Sequence, residues 1–303
     1  RDRLRSRGLG DVYKRQNLNS ATNSLNTALN RMSTGLKINS AADDAAGMFV
    51  ASNLNTQIRG SKIAQSNVAT GINVLQTAEG DYGVIEDNLL RIRDLANQAA
   101  NGVYDTKSLK AMEDEVNARV AEINRIAKAS NFNGLSLLDG KGIPADGLRL
   151  QVGANSDADI NAIKVDPTVF ANASAQALGL YGKAGGATFD SIAEAFANSS
   201  AAAQFIADVD VALQDVTTRK AAIGAVQNRL NSAADSLVTT IENATSAKST
   251  IMDADIAEES ANYTKYQILQ QTSASLLVQA NQLPSLASVS YTHLRAHETG
   301  AYL

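Results

Sequence analysis

The sequence predicts a mainly α-helical chain: long antiparallel helices packed as a bundle or coiled coil, with a small β-hairpin region between two helical arms. Three observations carry that expectation. Proline occurs only at 144, 167 and 284, so 17–143 and 168–283 lack the residue that most strongly breaks a helix. Val209, Val216, Ile223, Leu230, Leu237, Ala244 and Ile251 recur at intervals of seven, the period of a coiled-coil seam. Only 148–165 replaces helical spacing with the alternation of a strand.

The two ends stand apart from this pattern. Residues 6–16 read "SRGLGDVYKRQ", and one set of codons for the last six, inverted and read in another frame, encodes Val-Ser-Tyr-Thr-His-Leu, the sequence at 289–294. The same inversion of "SRGLG" encodes "LRAHE", residues 294–298. Residues 1–16 and 289–303 therefore read as one inverted DNA repeat of sequencing-adapter type, a non-native head and tail to be set aside from fold reasoning.

Between them, 17–53 reads as an N-terminal helix and a connecting segment. Leu18, Leu25, Leu29, Met32 and Leu36 keep helical spacing until Gly35 and "INSAADDAAGM" interrupt it. A second helix spans about 54–100 through Leu54, Ile58, Val68, Ile72, Leu75, Tyr82, Ile85, Leu89 and Ile92, with Gly102 as its C-terminal cap. A third, 106–129, uses Leu109, Met112, Val116, Val120, Ile123 and Ile126, and "NFNG" stops it at Gly134. Leu148, Leu150 and Val152, then "GANSDAD", then Ile160, Ile163 and Val165 predict a β-hairpin, completing an N-terminal core part over 54–165. Residues 166–205, rich in Ala, Ser and Gly, read as a variable surface insert. The heptad predicts a core helix over 206–250, and a C-terminal helix follows over 251–288. Exposed apolar stripes of this length must be covered, at about 1.5–3 kcal/mol per large side chain.

Composition bounds the chemistry. The whole chain carries a formal net charge of −4, and without the two ends 20 basic and 28 acidic residues remain. The one concentrated basic run belongs to the head, so no nucleic-acid footprint survives. Both histidines, His293 and His297, lie in the tail, and there is no cysteine. Over 17–288 there is thus no histidine base, thiol nucleophile or His/Cys zinc site. Asp43-Asp44 and Glu258-Glu259 are the obvious acid pairs, but helical neighbours point about 100° apart, so they read as solvated faces or subunit contacts. No catalytic, cofactor or metal site is expected, nor a membrane span, since no run of about 18 apolar residues occurs. Lack of cysteine suits a chain working outside the cell without disulfides.

The motifs "LNRMSTGLKINSAADDAAGM" (29–48), "GINVLQTAEG" (71–80), "NLLRIRDLANQAANG" (88–102), "INRIAKASNFNGLSLLDG" (123–140) and "LQVGAN" (150–155) resemble bacterial flagellin. So do "GAVQNRLNSAADSL" (224–237) and "SAKSTIMDADIAEESANYTKYQILQQTSASLLVQANQLP" (246–284). The resemblance implies a short-form, non-enzymatic subunit of the flagellar filament, used for motility. In such a subunit 17–53 and 251–288 build an inner tube and its spoke, and the helices between them form the core bundle. It implies polymerisation with itself, an extracellular place in the flagellum, and export through the flagellum's own secretion channel. It further implies a flagellar chaperone and hook-filament junction and cap proteins as partners. The other reading within the class is a flagellin-like protein of the hook-filament junction.

The resemblance also implies recognition by the vertebrate Toll-like flagellin receptor through Leu89, Leu90, Arg91, Arg93, Leu95 and Glu115. A second reading of that stretch puts Leu89 and Ile92 in the bundle core and sets Arg91 and Arg93 against the next subunit. The predicted bundle seam is Val209, Val216, Ile223, Leu230, Leu237 and Ile251.

Overall fold

A computed structural model describes the backbone of residues 2–182 and 187–299, and the side chains of 12–157, 159–182 and 187–279. The chain divides into two compact units, Thr56–Asn243 and the pair of segments Arg1–Asn55 with Ala244–Leu303.

In the first unit, helix α2 (Ala45–Ala99), helix α3 (Thr106–Ala129) and helix α6 (Ser199–Met252) contribute to one core. Val209, Val216, Ile223 and Leu230 are fully buried and Leu237 nearly so, in the same cluster as Leu75, Tyr82, Ile85, Leu89 and Ile92 of α2 and Val116 and Ile123 of α3. The seam ends there. Ile251 is half-buried against a separate small cluster of Ile38, Ala51 and Met252 in the other unit, which corrects its assignment to the bundle seam. Likewise α6 from Ala244 onward belongs to the other unit, so the predicted 206–250 core helix starts earlier and contributes to this unit only as far as Asn243.

Helix α3 has the predicted bounds because Asp105 caps it, accepting from the Ser108 amide at 2.9 Å. Helix α2 starts nine residues before the expected 54. Asp44 accepts from the Ala46 and Gly47 amides, both at 3.0 Å, and satisfies the orphan donors of the first turn. Its end at Ala99 does not use Gly102, which is not among the residues with positive φ. "NFNG" does more than stop α3. Asn133 (φ 50°) and Gly134 (φ 81°) make a two-residue turn between strands β1 (Asn131–Phe132) and β2 (Leu135–Ser136).

Strands β3 (Leu148–Gln151) and β4 (Ala162–Val165) pair antiparallel, with Leu148 opposite Val165 and Leu150 opposite Ile163. Helical turn α4 (Ala158–Asn161) lies between them, and Ile160, expected in the strand pattern, sits on it 78% exposed. The hairpin is seated on α2 at two glycines: a Cβ on Gly71 would lie 2.6 Å from Leu150 Cδ1, and one on Gly60 would lie 2.8 Å from Ala154 Cβ.

Residues 166–205 are not a surface insert. Val169 and Phe170 on a 3-10 turn (Pro167–Phe170), Leu178, Leu180, Ile192 on α5 (Ile192–Ala195), Phe196 and Phe205 are all buried in the common core. Phe189 and Phe196 meet the Phe205 ring edge-on, at centroid distances of 6.5 and 5.8 Å. Dilution of these anchors among Ala, Ser and Gly hides them in average composition, but each still gains about 1.5–3 kcal/mol on burial.

In the second unit, helix α1 (Asp2–Thr34) pairs with helix α7 (Ile256–Thr299). Thr22 accepts from Gln270 at 3.1 Å, and Arg31 donates to Glu259 at 3.1 Å. The breaks that end α1 and α6 are joined to each other: the Lys37 amide donates to Met252 O at 2.6 Å and the Ala254 amide to Gly35 O at 2.9 Å. Gly35 takes φ +70°, which a side chain would strain. Helical backbone runs through 2–16 and 289–299. The side chains of these ends lie largely outside those described; Val12 and Tyr13 are exposed.

Candidate interaction surfaces

The stretch "LLRIRDL" on α2 divides by helical geometry. Leu89, Ile92 and Leu95 recur every three residues and turn inward, 0%, 0% and 3% exposed. Leu90 is 46% exposed. Arg91 Nε donates to Glu115 Oε1 on α3 at 2.8 Å, and Arg119 approaches the same carboxylate at 3.9 Å. Arg93, two residues on and so about 200° around the helix, donates to Asp210 on α6 at 2.6 Å. The six residues therefore do not form one patch. Arg91 and Glu115 are paired on the α3 side, Arg93 faces the α6 side, exposed Leu90 lies between the two arginines around the helix, about 60° from Arg93 and 100° from Arg91, and Leu89 and Leu95 are core residues with little surface to offer. The hydrogen bond from Arg91 holds the Glu115 carboxyl below its ordinary range, and Glu115 in turn raises the guanidinium. Both stay charged at any ordinary pH.

A second surface belongs to the α1/α7 pair. Ala21 and Ala28 are its buried residues on α1, joined by the Arg31–Glu259 ion pair. Large apolar groups lie outside: Leu29 is 53% exposed, and on α7 Ile268, Leu269, Leu276 and Val278 are 58%, 44%, 50% and 57% exposed. Leu18, Leu25, Met32 and Leu277 are half-buried, so the pair covers part of its large apolar surface and leaves the rest outside.

The acid pairs have structural occupations. Asp43 accepts from the Asn39 and Ser40 amides, Asp44 caps α2, Glu259 is buried against Arg31, and Glu258 is exposed. Among the described residues no three His, Cys, Asp or Glu side chains are grouped to hold a metal ion, and no helix is long and apolar enough to cross a membrane.

Residues 12–142 match the family described as the bacterial flagellin N-terminal helical region, and 192–288 match the bacterial flagellin C-terminal helical region. The chain is 34% identical to the flagellar filament 30.7 kDa core protein of Treponema maltophilum over 278 residues, covering 90% of this chain and 94% of that protein. The chain belongs to the bacterial flagellin family. It is also 37% identical to the flagellin of Bacillus subtilis over 276 residues, 84% of this chain and 89% of the relative. The crystal structure of Bacillus cereus flagellin is 28% identical, with a TM-score of 0.46 over 57% of this chain and 88% of that one.

One buried site of this flagellin was not foreseen from its sequence. Tyr82 Oη donates to Val169 O at 2.8 Å and accepts from Arg219 at 3.2 Å. Arg219 binds Asp215 through two nitrogens, at 3.2 and 2.6 Å, and donates to the carbonyls of Ala171 and Asn172 at 2.9 and 3.3 Å. Burial pushes the Tyr82 hydroxyl's pKa above its ordinary value, with Arg219 pulling the other way. The only sequence signal was a tyrosine on an otherwise aliphatic stripe.

Proposed function

We propose that this flagellin is a structural subunit that polymerises with copies of itself into the extracellular flagellar filament. The observation that carries the proposal is the apolar outer face of α1 and α7. Leu29, Ile268, Leu269, Leu276 and Val278 remain 44–58% exposed in the single chain, and packing against neighbouring copies recovers the remaining part of the roughly 1.5–3 kcal/mol that full burial of each gives. Repeated along a polymer, that term favours assembly. The same face needs cover before assembly, which supports a chaperone on α7 during export through the flagellar channel, and contacts with junction and cap proteins at the filament ends.

Negative-stain electron microscopy of a version with native flagellin ends restored in place of 1–16 and 289–303, and of its Leu269→Glu/Leu276→Glu variant, tests this reading. Filaments are expected from the first and monomers from the second, with the same thermal unfolding of the 56–243 unit in both. Equal polymerisation refutes it.

Recognition by the Toll-like flagellin receptor rests on the exposed trio Leu90, Arg91 and Glu115. Arg91→Asp in folded monomer is expected to lower receptor reporter signalling at least several-fold, and unchanged signalling removes the assignment.

A further inference from the structure

The chain contains two Asn-Gly dipeptides, Asn101-Gly102 and Asn133-Gly134, and the fold treats them differently. We propose that Asn101 is a site of spontaneous deamidation in the folded protein, and that Asn133 is protected by its hairpin.

The chemistry needs only water. The Gly102 amide nitrogen, losing its proton, attacks Asn101 Cγ. A C–N bond forms, the bond to the carboxamide nitrogen breaks, and ammonia leaves with the proton. Water then opens the five-membered imide at either carbonyl, giving aspartate or its β-linked isomer. Glycine as the second residue matters because no side chain hinders the attacking nitrogen. Ring closure also requires rotation of the asparagine backbone to bring that nitrogen over Cγ, and the two groups must be free.

At Asn101 these conditions hold. The residue follows α2, is exposed, and uses its own amide to bond Gln98 O at 3.1 Å. Its carboxamide and the Gly102 amide make no hydrogen bond in the structure. Neither residue belongs to a paired strand, and the nearest group beyond the turn is the Ser199 hydroxyl, 4.0 Å from where a Gly102 Cβ would stand. Asn133 is exposed as well, but it is held at φ 50° in the turn that β1 and β2 close, with Phe132 opposite Leu135 and Asn131 opposite Ser136. Turning its backbone toward ring closure breaks that register.

The product places a negative charge two residues beyond the end of α2, where the helix dipole disfavours it. Conversion at 101 therefore loosens the last turn of α2 and changes the surface that carries Val103 and Tyr104, 79% and 40% exposed.

The test incubates folded, full-length monomer in mildly alkaline buffer and follows the tryptic peptides 94–107 and 129–141 by mass spectrometry. Acid and β-linked forms are expected to accumulate at 101 at least several-fold faster than at 133. In guanidinium the two rates converge. Gly102→Ala is expected to suppress the reaction at 101 and leave 133 unchanged. Hydrogen exchange of the converted protein should show faster exchange at Ala99 and Ala100. Equal rates at the two sites in folded protein, or a faster Asn133, overturn the proposal.

Discussion

Arg219 holds more of this molecule together than any other single polar side chain described. Its guanidinium joins Asp215, the Tyr82 hydroxyl and the Ala171 and Asn172 carbonyls just after the 167–170 turn, and its planar fork suits that set better than an ammonium would. Replacing Arg219 with Leu leaves Asp215 and those carbonyls short of a donor, at an expected loss of about 2–4 kcal/mol by urea unfolding. Arg219→Lys should fall between that variant and the native protein. Tyr82 supplies the pH dependence. Its folded pKa is raised above the unfolded value of about 10, so its contribution is complete below about pH 10 and is lost as pH rises through the folded value. Tyr82→Phe is therefore expected to be less stable than the native chain at neutral pH, with the gap closing in alkali. A gap that stays constant to the alkaline limit would show that the hydroxyl does not titrate in the fold.

At the scale of elements, the seat of the β3–β4 hairpin on α2 separates two kinds of helical glycine. Gly60→Ala drives a methyl against Ala154, whose nearest atoms are its own Cβ and Cα at 2.8 and 3.2 Å and cannot swing aside. Gly71→Ala meets the end of Leu150, which can rotate. Gly80 has nothing within 4 Å of its absent Cβ, so Gly80→Ala should stabilise the monomer by about 0.5–1 kcal/mol. The expected order of melting temperatures is Gly80→Ala above native, then Gly71→Ala, then Gly60→Ala.

What was legible follows the same physics. α3 could be bounded because Asp105 and a regular apolar stripe mark it locally, and the hairpin because alternation and turn residues coincide. The start of α2 was missed because Asp44 caps it from within a run already assigned to a loop. The burial of 166–205 was missed because Phe170, Leu180, Phe196 and Phe205 find partners only across the folded unit. Of the proposed contact residues, Leu90, Arg91, Arg93 and Glu115 are at least partly exposed, while Leu89 and Leu95 follow the helical period into the core.

For the whole molecule, the two units rest on unequal interiors. The 56–243 unit contains nearly all the large buried side chains, and the other relies on Ala21, Ala28, Ile38, Ala51, Ala244, Met252 and a few polar bonds. Limited proteolysis of monomer is therefore expected to cut α1 and α7 first and leave a resistant core close to 56–243. Polymerisation should protect the helices that the protease otherwise removes.

The joined breaks at Gly35–Lys37 and Met252–Ala254 also set an order in time. Arg31 and Glu259 lie 228 residues apart, and Thr22 and Gln270 lie 248 apart. Closing loops of that length costs entropy that grows with their logarithm, and the cost is smaller once the intervening chain is already ordered. Helix α1, made before the 56–243 unit, has no partner until α7 follows that unit. Its pairing is thus the last step of folding, and pulsed hydrogen exchange during refolding should protect α3 well before any amide of residues 17–34.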